Sequence, residues 1–126
     1  MIPKFKAWDK KHNEMIEVVS INFEERYIRG ITAVEKNGDI ESSYDFDEVD
    51  LIQSTGIKDR HENEYFNKDI ARDVYSEEIG VIEYEDGAFH MRFENDGVDL
   101  IDVNLDFEII GNVYENPIND WKDKEA

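Results

Sequence analysis

Asp102, Asn104, Asp106 and Glu108 fall at every second position, and such a run of oxygen donors invites a calcium reading. An EF-hand loop needs glycine at its sixth position and glutamate at its twelfth. Those places here hold Phe107 and Val113, so the motif fails. On a strand the same spacing sets the four side chains along one exposed face about 7 Å apart, a solvated acidic row. His12, His61 and His90 are dispersed, and none forms the i, i+4 pair of a zinc enzyme. His12 and His61 fall in expected loops and His90 on the exposed face of a strand, where a general base would still need an orienting partner. Ser54 and Thr55 flank Gly56 without the G-x-S-x-G elbow. Their hydroxyls are expected to bond the local backbone instead. The phosphate-cradling loop and the dinucleotide fingerprint are both missing from the sequence. Catalytic residues, cofactor and metal are therefore all expected to be none. The residues nominated for contact with a partner are Gln53, Ser54, Thr55, Lys58 and Asp59, with the row Asp102, Asn104, Asp106 and Glu108.

Charge narrows the partners. The 126 residues carry 32 acidic and 14 basic side chains, a net of −18. Residues 77–126 hold 15 of the acids and 3 of the bases. Such a field repels nucleic acid phosphates and anionic lipid heads, so direct nucleic acid or membrane binding is not expected. It either keeps the chain soluble or engages a basic partner surface. Apolar runs stay well short of the roughly 18 residues of a membrane span. The opening MIPKFKAWDKK lacks the apolar centre of a secretion signal, and there is no cysteine for a disulfide or thiolate site. A soluble cytoplasmic protein is the simplest expectation.

The elements that must position these residues read as strands. Lys4 to Trp8 alternates, Asp9 to Asn13 is turn-like, and Met15 to Phe23 is rich in Ile and Val, which predicts a hairpin. Glu24-Glu25 turns the chain toward Tyr27, Ile28 and Ile31. Asn37-Gly38 suits a type I′ turn. Phe46 to Ile52 fits a short strand or one helical turn. Further on, Asp69 to Tyr75 reads as a strand, and Val81–Tyr84 and Ala88–Phe93 flank the turn Glu85-Asp86-Gly87. On the return arm Phe89, Met91 and Phe93 share a face. Val103, Leu105, Phe107 and Ile109 alternate as a long strand, with a bulge or bend at Gly111 and a stop at Pro117. Trp121 is the one apolar anchor of a polar tail. Trp8, Tyr65 and Phe66 are expected to pack in a core, with a seam between the lobes or a partner surface as the alternatives. Many short strands between turns predict an all-β, mainly antiparallel fold. The chain divides into an N-terminal β lobe (1–50), a connector (51–68) pivoting at Gly56, a second β lobe (69–117) and the tail (118–126).

The phrase LIQSTGIKD, followed by Tyr65 and the pair Asp69-Ile70, resembles the YopX family of phage and prophage proteins. IPKFKAWD near the start, GVIEYEDGAF at Gly80 to Phe89 and FEIIGNVYENP at Phe107 to Pro117 are similar to the same family, in its order. His61-Glu62-Asn63 departs from the family's Asn-Gly turn, and Ala71-Arg72 from its usual valine. The resemblance implies that the second lobe is an SH3-like barrel, and it implies no catalytic residues. The expected function is that of a non-enzymatic phage or prophage accessory protein acting by protein–protein contact or as a homo-oligomer. The alternative is an acidic nucleic-acid mimic that occupies a host DNA-binding protein.

Overall fold

The computed structural model describes residues 4–32 and 41–116. Its contacts fall into two compact units that divide between Gln53 and Ser54. The expected Asn37-Gly38 turn, the stop at Pro117 and the Trp121 anchor lie outside the described residues.

In the first unit, β1 (Phe5–Asp9), β2 (Glu14–Asn22), β3 (Tyr27–Thr32) and β4 (Ser42–Asp45) run antiparallel, and the start of β5 (Val49–Lys58) pairs with β1. The strand order is β4-β3-β2-β1-β5. The hairpin expected around Asp9 to Asn13 is present, with Lys6 opposite Glu17 and Asp9 opposite Glu14. Its turn is held by Asp9, buried to 3% exposure. One Asp9 oxygen accepts from the Lys11 N–H at 2.9 Å and the His12 N–H at 3.2 Å, and the other lies 2.9 Å from His12 Nδ1. Burial alone would raise this carboxyl, but hydrogen bonds from the His12 ring and backbone and from Lys11 outweigh it and hold it below the usual range. Phe46–Glu48 forms a 3-10 turn leading straight into β5, so both options for Phe46 to Ile52 occur in succession.

Ala7, Ile16, Ile28 and Val49 form the core of this unit, with Val18, Ile21, Tyr44, Phe46 and Leu51 against them. Gly30 sits opposite Val18 on β3. A Cβ there would strike Ile16 Cγ2 and lie 2.7 Å from the Glu17 carbonyl oxygen. A backbone atom in a paired strand has little room to yield. Gly30→Ala should therefore cost about 1–3 kcal/mol, read as a lower melting temperature; an unchanged melt would show that β2 gives way freely.

In the second unit the end of β5 pairs with β6 (Glu64–Phe66), Ser54 opposite Phe66 and Lys58 opposite Glu64. Much of the expected connector is therefore strand. Gly56, at φ +73°, takes the conformation that glycine reaches without strain, and the ladder shifts register around it. Thr55 Oγ1 fills the gap, donating to the Tyr65 carbonyl at 2.9 Å and accepting from the Ile57 N–H at 3.0 Å. The Ser54 hydroxyl accepts from the Gly56 N–H at 3.1 Å. Both hydroxyls thus serve the local backbone, as expected.

Five further strands make an antiparallel sheet: β7 (Asp69–Asp73), β8 (Ile79–Glu85), β9 (Ala88–Arg92), β10 (Gly97–Asp99) and β11 (Phe107–Asn112). Their order is β10-β9-β8-β7-β11. The hairpin at Glu85 to Gly87 is confirmed, with Glu85 opposite Ala88 and both Asp86 and Gly87 at positive φ, as a type I′ turn demands. The register of β11 shifts between Ile109 and Gly111, where a bulge was expected. Tyr65, Ala71, Ile82, Met91, Leu100 and Phe107 form the main core, joined by Phe89 and Phe93. Ile70, Ile79 and Val81 cluster separately with Val113.

Two expectations need correction. The SH3-like barrel does not form among the described residues, because no sheet closes: β10 and β11 end the order unpaired with each other. The long strand through Asp102 is also absent before Phe107. Leu100–Val103 is an α-helical turn, α1, and Asn104–Asp106 a 3-10 turn. Leu100 and Phe107 are buried, and Val103 packs on the same core. Leu100 and Val103, three apart on the helical turn, meet that core together, and Phe107 joins them from the start of β11, so the apparent alternation does not hold.

Candidate functional site

The two nominated patches, distant in sequence, partly converge in the second unit. Between β5 and β6, the loop 59–63 lies along the outer edge of β11. Asp59, nominated as a surface residue, is buried to 1% exposure. Its Oδ1 accepts from the N–H groups of His61 at 2.9 Å and Asn63 at 2.8 Å, and its Oδ2 from the Ile109 N–H at 2.9 Å. The Arg60 N–H donates to the Phe107 carbonyl at 3.0 Å. A carboxylate and one amide thus take the place of a neighbouring strand beside Phe107 and Ile109, groups that an open edge would leave unpaired. As a contact residue Asp59 is corrected: no side chain so enclosed can meet a partner. Two of its donors are local, but the Ile109 N–H lies 50 residues away, and that pairing no local pattern could have marked.

Polar side chains fasten the same loop. Asn104 Nδ2 donates to the Lys58 carbonyl at 2.7 Å, and the Tyr65 hydroxyl to the Asn104 carbonyl at 2.9 Å. Glu108 meets Arg72 Nη2 at 2.6 Å through one oxygen and His61 Nε2 at 3.2 Å through the other. The Arg72 hydrogen bond first, and that of His61 second, hold its carboxyl below the usual range against a small opposing effect of burial. A histidine oriented by a carboxylate is part of a proton relay. Here the carboxylate is shared with an arginine and its side chain is 26% exposed beside a 56% exposed imidazole, an arrangement suited to tying loop to strand. Arg60 Nη1 donates to the Tyr75 hydroxyl at 2.9 Å and its guanidinium stacks 5.3 Å from that ring.

The other nominated residues scatter. Gln53 and Lys58 are exposed along β5, with Ser54 and Thr55 half-buried between them. Asp102 and Asp106 are exposed on the helical turns, and Glu108 alone of the four stands on a strand. The even acidic row on one strand face is therefore dismantled. His90 is also less open than expected: its side chain is 22% exposed, with Nδ1 3.3 Å from Asp99 and Nε2 3.2 Å from the Glu85 carbonyl. No group of three or more His, Cys, Asp or Glu among the described residues is arranged to hold a metal, and no described helix is long and apolar enough to cross a membrane.

Two antiparallel units whose acidic loops are knitted by side-chain-to-backbone bonds define a small all-β protein. The family model of the YopX protein matches residues 4–118, and the chain belongs to that family. The crystal structure of protein EF1440 from Enterococcus faecalis is similar, with a TM-score of 0.69 and 24% identity over 95% of this chain and 99% of that one. That likeness speaks for the fold. No curated protein matches the chain.

Proposed function

We propose that this chain is a non-enzymatic phage or prophage accessory protein that acts in the bacterial cytoplasm by contact with a basic protein surface. The observation that carries this reading is the charge of the second unit. Residues 93–116 hold seven Asp or Glu and neither Lys nor Arg. Within that run Asp102 and Asp106 are exposed. Potentials of this kind favour encounter with oppositely charged surfaces and disfavour like-charged ones. Family membership supports the accessory role, and the exposed His61–Glu108–Arg72 tie supports a structural use of the titratable groups.

Affinity capture from host lysate at low and high salt tests the reading. A specific host protein retained at low salt, and lost steeply as salt rises, is the expected result. Recovery of none would count against it. The same charge also favours a second reading, a nucleic-acid mimic that occupies a DNA-binding protein. Added duplex DNA would then displace the captured partner.

A further inference from the structure

Two Asp-Gly pairs stand at turns of the second unit, Asp86-Gly87 between β8 and β9 and Asp96-Gly97 where β10 begins. This dipeptide carries a chemistry of its own. The glycine nitrogen, unshielded by any Cβ on its own residue, attacks Cγ of the preceding carboxyl group. Water leaves, a succinimide ring closes, and a second water reopens it. Opening at the side-chain carbonyl returns aspartate. Opening at the backbone carbonyl gives isoaspartate, of identical mass, in which the chain runs through the side-chain methylene. Ring closure requires the peptide unit between the two residues to swing its nitrogen toward Cγ, so the fold decides which pair reacts.

The two pairs are held differently. The Asp96 carbonyl accepts from the Phe93 N–H at 2.7 Å, and Gly97 pairs in the ladder with Arg92. A Cβ at Gly97 would lie 3.0 Å from Arg92 Cδ and 3.3 Å from the Met91 carbonyl oxygen. That peptide unit is pinned. At the other tip Asp86 and Gly87 are exposed, and a Cβ at Gly87 would meet only open space. Among the described residues, no backbone hydrogen bond holds the Asp86–Gly87 peptide unit, and the Asp86 carboxylate has no partner. Asp86 also sits at φ +50°, a region that aspartate visits only as a minor state. Tips with so few contacts open at the low end of the local stability range.

We propose that Asp86 is a site of spontaneous covalent modification, isomerising to isoaspartate in the folded protein while the ladder protects Asp96. The product has a defined consequence. An extra backbone carbon lengthens a two-residue turn whose length fixes the register, so the Glu85–Ala88 pair opens. Tyr84 and Phe89, with ring centroids 5.0 Å apart, and the buried Ile82 and Met91 hold the hairpin beyond it, which confines the change to the tip.

The full chain can be incubated in warm, mildly acidic buffer with and without guanidinium chloride, then digested and resolved by chromatography and mass spectrometry. Isoaspartyl peptides keep their mass, elute apart from the parent and resist a peptidase that cuts before aspartate. Folded protein should accumulate isoaspartate at Asp86 and leave Asp96 intact. In denaturant the two sites, being the same dipeptide, should react alike. Deamidation at Asn37-Gly38 adds mass and is thereby told apart. Asp86→Asn keeps residues that suit the turn, and in neutral buffer it should deamidate at this position with a gain of mass. Equal conversion of both sites in the folded protein, a preference for Asp96, or conversion only in denaturant overturns the proposal.

Discussion

Replacing Asp59 by alanine should lower the melting temperature by about 10 °C or more. The substitution removes one carboxylate and strands three backbone N–H groups, those of His61, Asn63 and Ile109. Hydrogen bonds to a charged acceptor each contribute about 1.5–3 kcal/mol, and a buried donor left unpaired retains its desolvation penalty. Even with strong non-additivity the loss should reach about 3 kcal/mol, and in a domain of this size each kcal/mol is worth about 4–8 °C. Asp59→Asn separates the two halves of the role. A side-chain carbonyl at the Oδ1 position still serves His61 and Asn63, but an amide donor then confronts the Ile109 N–H. Hydrogen exchange at Ile109 should accelerate in this variant while the loop amides keep their protection. A wild-type melt for Asp59→Ala would show that water takes over these donors and that the loop is not held as described.

The second large effect belongs to Tyr65. It is fully buried in the main core of the second unit, and its hydroxyl donates to the Asn104 carbonyl at 2.9 Å. Tyr65→Ala should cost about 3–5 kcal/mol through the cavity left behind, whereas Tyr65→Phe should cost about 1 kcal/mol for the lost hydrogen bond. Burial pushes the phenol well above its usual value of 10.0, helped by the charges of Asp59, Asp69 and Asp106. Because the folded form holds the proton more tightly than the unfolded one, this contribution is intact below about pH 10 and declines as pH rises beyond it. Urea unfolding from pH 8 to 11 should show a loss of stability that is shallower in Tyr65→Phe than in wild type. Parallel slopes in the two proteins would remove Tyr65 as the cause.

Much of the fold was legible because its signals are local. The hairpin of β1 and β2 follows from alternation on either side of a polar turn, and the turn at Glu85 to Gly87 from residues that tolerate positive φ. The bulge near Gly111 was likewise announced by a glycine inside an apolar strand. Residues 100–106 were not legible, since Ile101-Asp102-Val103-Asn104-Leu105-Asp106 satisfies both periods. The β-branched Ile101 and Val103 favour a strand on propensity. The deciding signal was the spacing of Leu100 and Val103, three apart on one helical turn, with Phe107 entering the same core from the start of β11. Buried aspartates were the other omission. The acids seemed to belong on the surface as a class, yet Asp9, Asp59 and Asp69 are enclosed. At least two of them organise turns through backbone N–H groups, and such use depends on donors that the chain brings together only on folding. At the candidate site the sequence supplied four of the participants, Lys58, Asp59, Asn104 and Glu108, but gave no hint that the loop beginning at the first pair would meet the segment carrying the last two.

The enclosed Asp59 has a consequence for how this chain can change over generations. Because a single carboxylate measures the distance to two amides of its own loop and to one on β11, the length of 59–63 is metered. One residue gained or lost there would leave the aspartate facing the wrong amides. The hairpin tip at Asp86-Gly87 carries no such gauge, since Gly87 has open space around it, and length variation among relatives should accumulate at that tip while the metered loop stays constant.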